Sequence, residues 1–227
     1  MTISIKASRL VPTAMLCVAL TACSTTQPIA YSGISSSSKL TPNQKDDTGR
    51  VPYSYSTPVE WQKYNALIID PVAIYSGPDH QVGDLSEADK QELARYMDTT
   101  FRKVLSQRFR VITNPGANTL KLRLTLAGVG TNTAVASTVT RFDLAGMPYN
   151  VVQSIRGKEG AFMGSVSYSV EIYDSTSNQL LKAFVTKQYP NAMNIVATVG
   201  SLHAAKTGIE TGMQRAMLRL QALTAST

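Results

Sequence analysis

The sequence predicts an α+β fold: a single four- or five-stranded mixed or antiparallel sheet with two helices packed on one face, behind a flexible tether. Three patterns carry that reading. Residues 119–126 alternate strictly between apolar and polar side chains, the period of a strand with one buried face. Leu93, Met97, Phe101, Val104 and Leu105 recur at three- and four-residue steps, which makes the apolar stripe of a helix lying on such a sheet. Residues 24–58 are rich in Ser, Thr, Pro, Gly and Asn, include the run Ser35-Ser36-Ser37-Ser38 and hold few large aliphatics. A segment of that composition buries too little apolar surface to offset its own ordering entropy. Tyr31, Leu40, Tyr53 and Tyr55 are its side chains capable of docking on a domain.

The N-terminus explains why a tether is expected. Lys6 and Arg9 precede an apolar run, Leu10 to Ala19, and the run ends in Leu20-Thr21-Ala22-Cys23. Together these form a secretory signal with a lipobox, in which the cysteine thiol is acylated and cleavage leaves Cys23 as the first residue. The apolar run is shorter than the ~20 residues of a bilayer span. Acyl chains contribute about 0.8 kcal/mol per buried methylene, so they hold a chain on a membrane without a transmembrane helix. The division expected is therefore a signal peptide over 1–22, a tether over 23–58 and a periplasm-facing domain over 59–227. Ser24 follows the cysteine where aspartate commonly signals inner-membrane retention, so the expected location is the outer membrane, lipid-anchored and facing the periplasm.

Along the domain, residues 66–74 read as one apolar strand in which Pro71 marks a bulge, an edge or an end. Turn-forming residues 76–84 lead to a helix over 86–109, with Ser86 as N-cap and Glu87 and Asp89 in the first turn. A strand starts at Phe109, Asn114-Pro115-Gly116 turns the chain, and residues 119–126 put Leu120, Leu122, Leu124 and Leu126 on the core. Residues 128–160 carry small residues, Gly146, Pro148 and Gly157, and read as a long irregular excursion. Residues 163–174 and 179–188 form a hairpin around Asp174-Ser175-Thr176-Ser177-Asn178, with Tyr168 and Tyr173 on opposite faces. A last helix spans about 202–223, and its Gly208 and Gly212 either weaken it or permit close approach of a neighbour.

Little in the chain suggests catalysis. Its two cysteines are Cys17, in the signal, and Cys23, committed to the lipid, which leaves no thiol for a disulfide, metal or nucleophile. No two histidines stand at metal-ligand spacing, and no G-x-S-x-G elbow exposes a serine. Gly128-Val129-Gly130 lacks the third glycine of a dinucleotide loop. No metal and no cofactor are expected, and the protein is expected not to be an enzyme. The alternative is an envelope hydrolase using Asp79 and His80, an acid and base adjacent in a loop. The formal charge of +7 loses Lys6 and Arg9 with the signal, and the mild excess left suits lipid headgroups or peptidoglycan carboxylates. Arg102, Lys103, Arg108 and Arg110, around the end of the first helix, complement its dipole. The compartment excludes nucleic acid. The expected partners are the membrane, through Cys23, and an envelope protein or peptidoglycan. Phe142, Met147, Tyr149 and Met163, in or beside the irregular excursion, are the candidate partner contacts, because interfaces favour aromatic and Met side chains.

Four stretches extend the reading: Lys63-Tyr64-Asn65-Ala66-Leu67-Ile68-Ile69-Asp70-Pro71-Val72, Val111-Ile112-Thr113-Asn114-Pro115-Gly116, Leu120-Lys121-Leu122-Arg123-Leu124, and Gly164-Ser165-Val166 leading to Glu171-Ile172-Tyr173-Asp174-Ser175-Thr176. With the order of elements behind a lipobox, they resemble the bacterial lipoprotein family catalogued as domain of unknown function 3313, over about residues 58–188. Ser177-Asn178 and Ser169 depart from that pattern, where a Gly-Glu turn and an acidic residue are usual. The resemblance implies an envelope lipoprotein and no enzymatic activity. More distantly, the chain is similar to the small α/β domains of envelope accessory lipoproteins such as penicillin-binding-protein activators and the curli secretion subunit.

Cys23→Ser is expected to abolish acylation and signal-peptidase II processing. Globomycin should make the wild-type precursor accumulate on an immunoblot, and unchanged processing under the drug would refute the lipobox.

Overall fold

In the computed structural model, which describes residues 26–130, 146–156, 158–159, 164–191, 194 and 202–225, eight strands form one mixed sheet. At its centre is β6 (Thr119–Gly130), whose Leu120, Leu122, Leu124 and Leu126 are all buried on one face. It pairs antiparallel with β7 (Ser165–Asp174), which pairs antiparallel with β8 (Leu180–Gln188). The β7–β8 turn is organised by Asp174, whose Oδ1 accepts the backbone N–H groups of Thr176 and Ser177 at 3.0 and 2.9 Å. Those donors, the Ser177 N–H foremost, hold the Asp174 carboxyl below the usual carboxylate range. Asn178 closes the turn with a φ of 55°, a left-handed conformation that asparagine tolerates.

On the other side of β6 lie the parallel strands β3 (Ala66–Ile69) and β5 (Arg110–Val111), with β4 (Ala73–Ile74) pairing with β6 beyond the end of β3. Asp70 and Pro71 thus split the strand expected over 66–74. The break is held in place, since the Asp70 N–H donates to the Leu122 carbonyl at 3.0 Å and its carboxylate meets Arg123 Nε at 3.0 Å.

Helix α1 (Glu87–Leu105) is the crossover from β4 to β5. The Ser86 hydroxyl accepts the Asp89 N–H at 3.1 Å, so the N-cap forms as its position predicts. Leu93, Met97, Phe101 and Leu105 are buried against the leucines of β6 and against Tyr168. Helix α3 (His203–Ala225) lies on the same face through Ala205, Ile209 and Met213. A Lys206–Glu92 ion pair at 2.5 Å and a hydrogen bond from the Tyr96 hydroxyl to Glu210 join the two helices. Gly208 and Gly212 serve close approach. A Cβ on Gly212 would stand 2.3 Å from the Tyr168 hydroxyl, and one on Gly208 2.7 Å from the Gln188 carbonyl.

Three expectations are corrected. The sheet has eight strands rather than four or five, because two-residue strands such as β4 and β5 carry no period to read. The described part of the expected tether, residues 26–58, is packed on the domain: β2 (Tyr53–Ser56) pairs antiparallel with β8, and β1 (Thr41–Pro42) extends the edge. Tyr31, Ile34 and Val51 of that stretch are buried, and Tyr173, on the face opposite Tyr168 as expected, is buried too, beside Leu40 and Tyr55. The excursion over 128–160 begins later and is partly regular, since β6 continues to Gly130 and α2 occupies Gly146–Ile155. Pro148 falls in the first turn of α2, where its missing N–H costs the helix no bond.

Gly212→Ala is expected to lower stability by about 1–3 kcal/mol through overpacking against Tyr168 and Gln188. Leu122→Asp should unfold the domain, since an unpaired buried charge costs several kcal/mol against a total of about 5–15. Circular-dichroism melting checks both, and a wild-type melt for either would contradict this packing.

Candidate functional site

The face of the sheet opposite α1 and α3 is small and polar. Ser165, Ser167, Ser169 and Glu171 of β7 and Lys187 of β8 are all buried there. Burying such groups costs free energy unless they find partners, and residues 26–58 supply several of them. Glu171 accepts the Ser36 N–H at 2.6 Å. The Arg50 carbonyl accepts the Lys187 N–H at 2.9 Å, while its buried guanidinium reaches round to the helix-facing side of β8, donating to the Gln188 side chain at 3.0 Å and lying 3.6 Å from the Tyr189 ring centroid. Burial lowers the pKa of the Arg50 guanidinium from its ordinary value.

Asp79, the candidate acid of a hydrolase pair, belongs to this packing. Its Oδ2 accepts the Ser32 N–H at 2.8 Å, and its Oδ1 accepts the Tyr75 hydroxyl, which in turn accepts the Gly33 N–H at 2.9 Å. The Tyr75 hydroxyl and then the Ser32 N–H hold the Asp79 carboxyl below its ordinary value. Tyr31, with a φ of 46°, stacks on Tyr75 at 5.4 Å between centroids and donates to Gln81 Oε1 at 2.7 Å. Burial pushes the Tyr31 phenol up. His80 is exposed, and both Asp79 oxygens are engaged elsewhere, so the geometry of an oriented acid and base is not formed. Among the described residues no group of three His, Cys, Asp or Glu side chains is placed to hold a metal ion.

Between residues 33–35 and the sheet lies a cleft of about 430 Å³ with Arg123 and Glu171 in its wall. Arg123 is cross-strand from Glu171 and bonded to Asp70, which raises its pKa. The cleft offers a cation, a buried carboxylate and hydroxyls, a set that can hold a polar group. Arg102 is bound to Asp98 at 2.7 Å and to the Ile69 carbonyl at 2.8 Å, a structural role that takes it out of any anion site.

A different surface is built at the far end of β8. The Lys187 ammonium, with only 3% of its side chain exposed, meets Glu159 at 2.6 Å and donates to the Thr26 carbonyl at 2.8 Å. Gln81 Nε2 donates to the Gln27 carbonyl at 3.0 Å. One ammonium thus joins the start of the described chain to the segment following α2. Helix α2 exposes Val151, Val152 and Ile155, the last at 81%. Of the candidate partner residues, Cys23, Phe142 and Met163 lie outside the described residues. Met147 and Tyr149 fall in α2, in the stretch whose side chains also lie outside them. The valines and Ile155 were missed, although their helical spacing was visible.

Residues 30–216 match the model of one protein family. The chain belongs to the family described as a protein of unknown function, DUF3313. No curated protein matches the sequence. Solved structures similar to this DUF3313 protein include a point variant of the PelC dodecamer from Paraburkholderia phytofirmans, 11% identical, with 77% of this chain and 96% of that one covered at a TM-score of 0.38. A DUF4136 family protein from Bacteroides thetaiotaomicron is 10% identical over 79% and 99% of the two chains, with a TM-score of 0.37. A Xanthomonas campestris protein of the DUF330 family model is 10% identical over 76% and 94%, with a TM-score of 0.34. At that distance the dodecamer is a property of PelC alone.

Because the Asp79 carboxyl has a depressed pKa, its contribution is complete above the ordinary value of 3.8 and is lost as pH falls through the lower folded value. Protection of the Ser32 amide, the slowing of its exchange relative to an unstructured chain at the same pH, should therefore fall on acidification below that range, and Asp79→Asn should lower it already at neutral pH. Equal protection of Ser32 in wild type and variant would remove Asp79 from the clamp.

Proposed function

We propose that this protein is an outer-membrane lipoprotein, anchored through acyl chains on Cys23, whose periplasm-facing domain binds an envelope protein or peptidoglycan and catalyses nothing. The observation that carries the reading is a junction. The lipobox ends at Cys23, and by Thr26 the chain is already hydrogen-bonded to the domain. Lipoprotein maturation at Cys23 would therefore keep the residues, from Thr26 on, that cover the polar face. The engagement of Asp79 with Tyr75 and Ser32 supports the non-catalytic part, since the acid of the one acid–base pair suggested by the sequence has both oxygens taken.

Photo-crosslinking in intact cells from exposed positions such as Val111 and Ile155 is expected to give one specific adduct, identifiable by mass spectrometry. No adduct at any exposed position would refute a binding role. Gradient fractionation should place the protein with outer-membrane markers, and cofractionation with the inner membrane would reverse the location. Purified protein is expected to leave ester, peptide and glycan substrates intact, and an activity lost in His80→Ala would establish the hydrolase instead.

A further inference from the structure

An apolar helix face left in water needs an occupant. Val151, Val152 and Ile155 fall within about 100° of arc on α2, and they are 37%, 44% and 81% exposed. Arg156 and Lys158, both exposed, follow immediately, so a cationic rim borders the apolar strip. Apolar residues beside basic ones on a short helix are the composition of an interfacial element, one that sinks its apolar side about 5–10 Å into the headgroup boundary.

The position of α2 in the fold selects the bilayer over other occupants. Glu159 lies four residues beyond Ile155, a reach of at most about 14 Å. Its carboxylate shares the Lys187 ammonium with the Thr26 carbonyl, at 2.6 and 2.8 Å. Thr26 lies three residues from Cys23, at most about 10 Å of extended chain. The Ser154 hydroxyl also donates to Asn191 Oδ1 at 2.8 Å, which fixes the last turn of α2 to the segment that follows β8. The Lys187–Glu159 pair therefore brings the segment that follows the exposed strip to Thr26, three residues of chain from Cys23.

We infer that the Val151, Val152 and Ile155 face of α2, with Arg156 and Lys158, docks on the surface of the bilayer that holds Cys23 and fixes the orientation of the domain on it. This rests on acylation of Cys23. The acyl chains supply retention, and α2 supplies a second contact that limits tumbling about the anchor.

The processed lipoprotein has no free thiol under that reading, so one introduced cysteine takes a nitroxide label specifically. Ile155→Cys and, as a control on the β5 edge, Val111→Cys are labelled and reconstituted in vesicles of phosphatidylethanolamine and phosphatidylglycerol. The label at 155 should collide with dissolved oxygen severalfold more than with a polar nickel reagent, and the label at 111 should show the reverse. A water-exposed label at 155 in protein that floats with the vesicles would overturn docking while leaving acylation intact. A label at 155 shielded from both reagents would assign the strip to a protein contact and also overturn it. Protein that neither floats nor incorporates radiolabelled palmitate in cells would fail the lipoprotein reading itself and take this inference with it.

Discussion

The fold depends on covering a polar sheet face. Ser165, Ser167, Ser169, Glu171 and Lys187 line the side of β7 and β8 away from the helices, and left uncovered they would make half of the sheet an ordinary wet surface. Instead the chain's own N-terminal segment is laid over them, bonded from Ser36 to Glu171 and from Thr26 to Lys187, while Tyr31 and Tyr75 pack beside them. Hydrogen bonds and aromatic rings do there what aliphatic packing does on the opposite face. The sheet is covered on both sides, although α1 and α3 pack on one of them.

The two faces are linked where the edge strands break. Asp70 ends β3, accepts Arg123 from the polar face and lies next to Ile69, whose carbonyl accepts Arg102 from α1 on the helical face. Pro71 follows at the point where no ladder bond is needed. Bonds from Arg102 to Ile69 and from Arg123 to Asp70 thus run from α1 through two adjacent residues to the wall of the cleft between residues 33–35 and the sheet.

Elements with a long period were legible in the sequence. The leucine alternation of β6, the stripe of α1, the Ser86 cap and the Asp174 turn all form where their residues indicate, because each is decided by local chemistry. Residues 26–58 were not legible as part of the domain, because their composition is that of a linker. A serine-lined sheet face does not ask for aliphatic cover, and the residues that dock, Tyr31, Ile34 and Arg50, are scattered too widely to show a period. The site followed the same rule. Asp79 and His80 are adjacent in sequence, yet a carboxylate's function depends on which donors reach it, and here Tyr75 and Ser32 do. The junction of Thr26 with Lys187 and Glu159 joins three distant stretches of chain, and no local pattern announces it.

The N-terminal cover also orders events in time. Ser36 is separated from Glu171 by 135 positions and Arg50 from Gln188 by 138, so the first part of the chain to emerge meets its partners only after nearly all the rest. Pairings of that separation form late and slowly, because loop closure must precede them. Residues 26–58 therefore stay without their sheet partners until β8 has been made. Docking of that segment is then a late step, and until it happens the serines, Glu171 and Lys187 of the polar face are left to water.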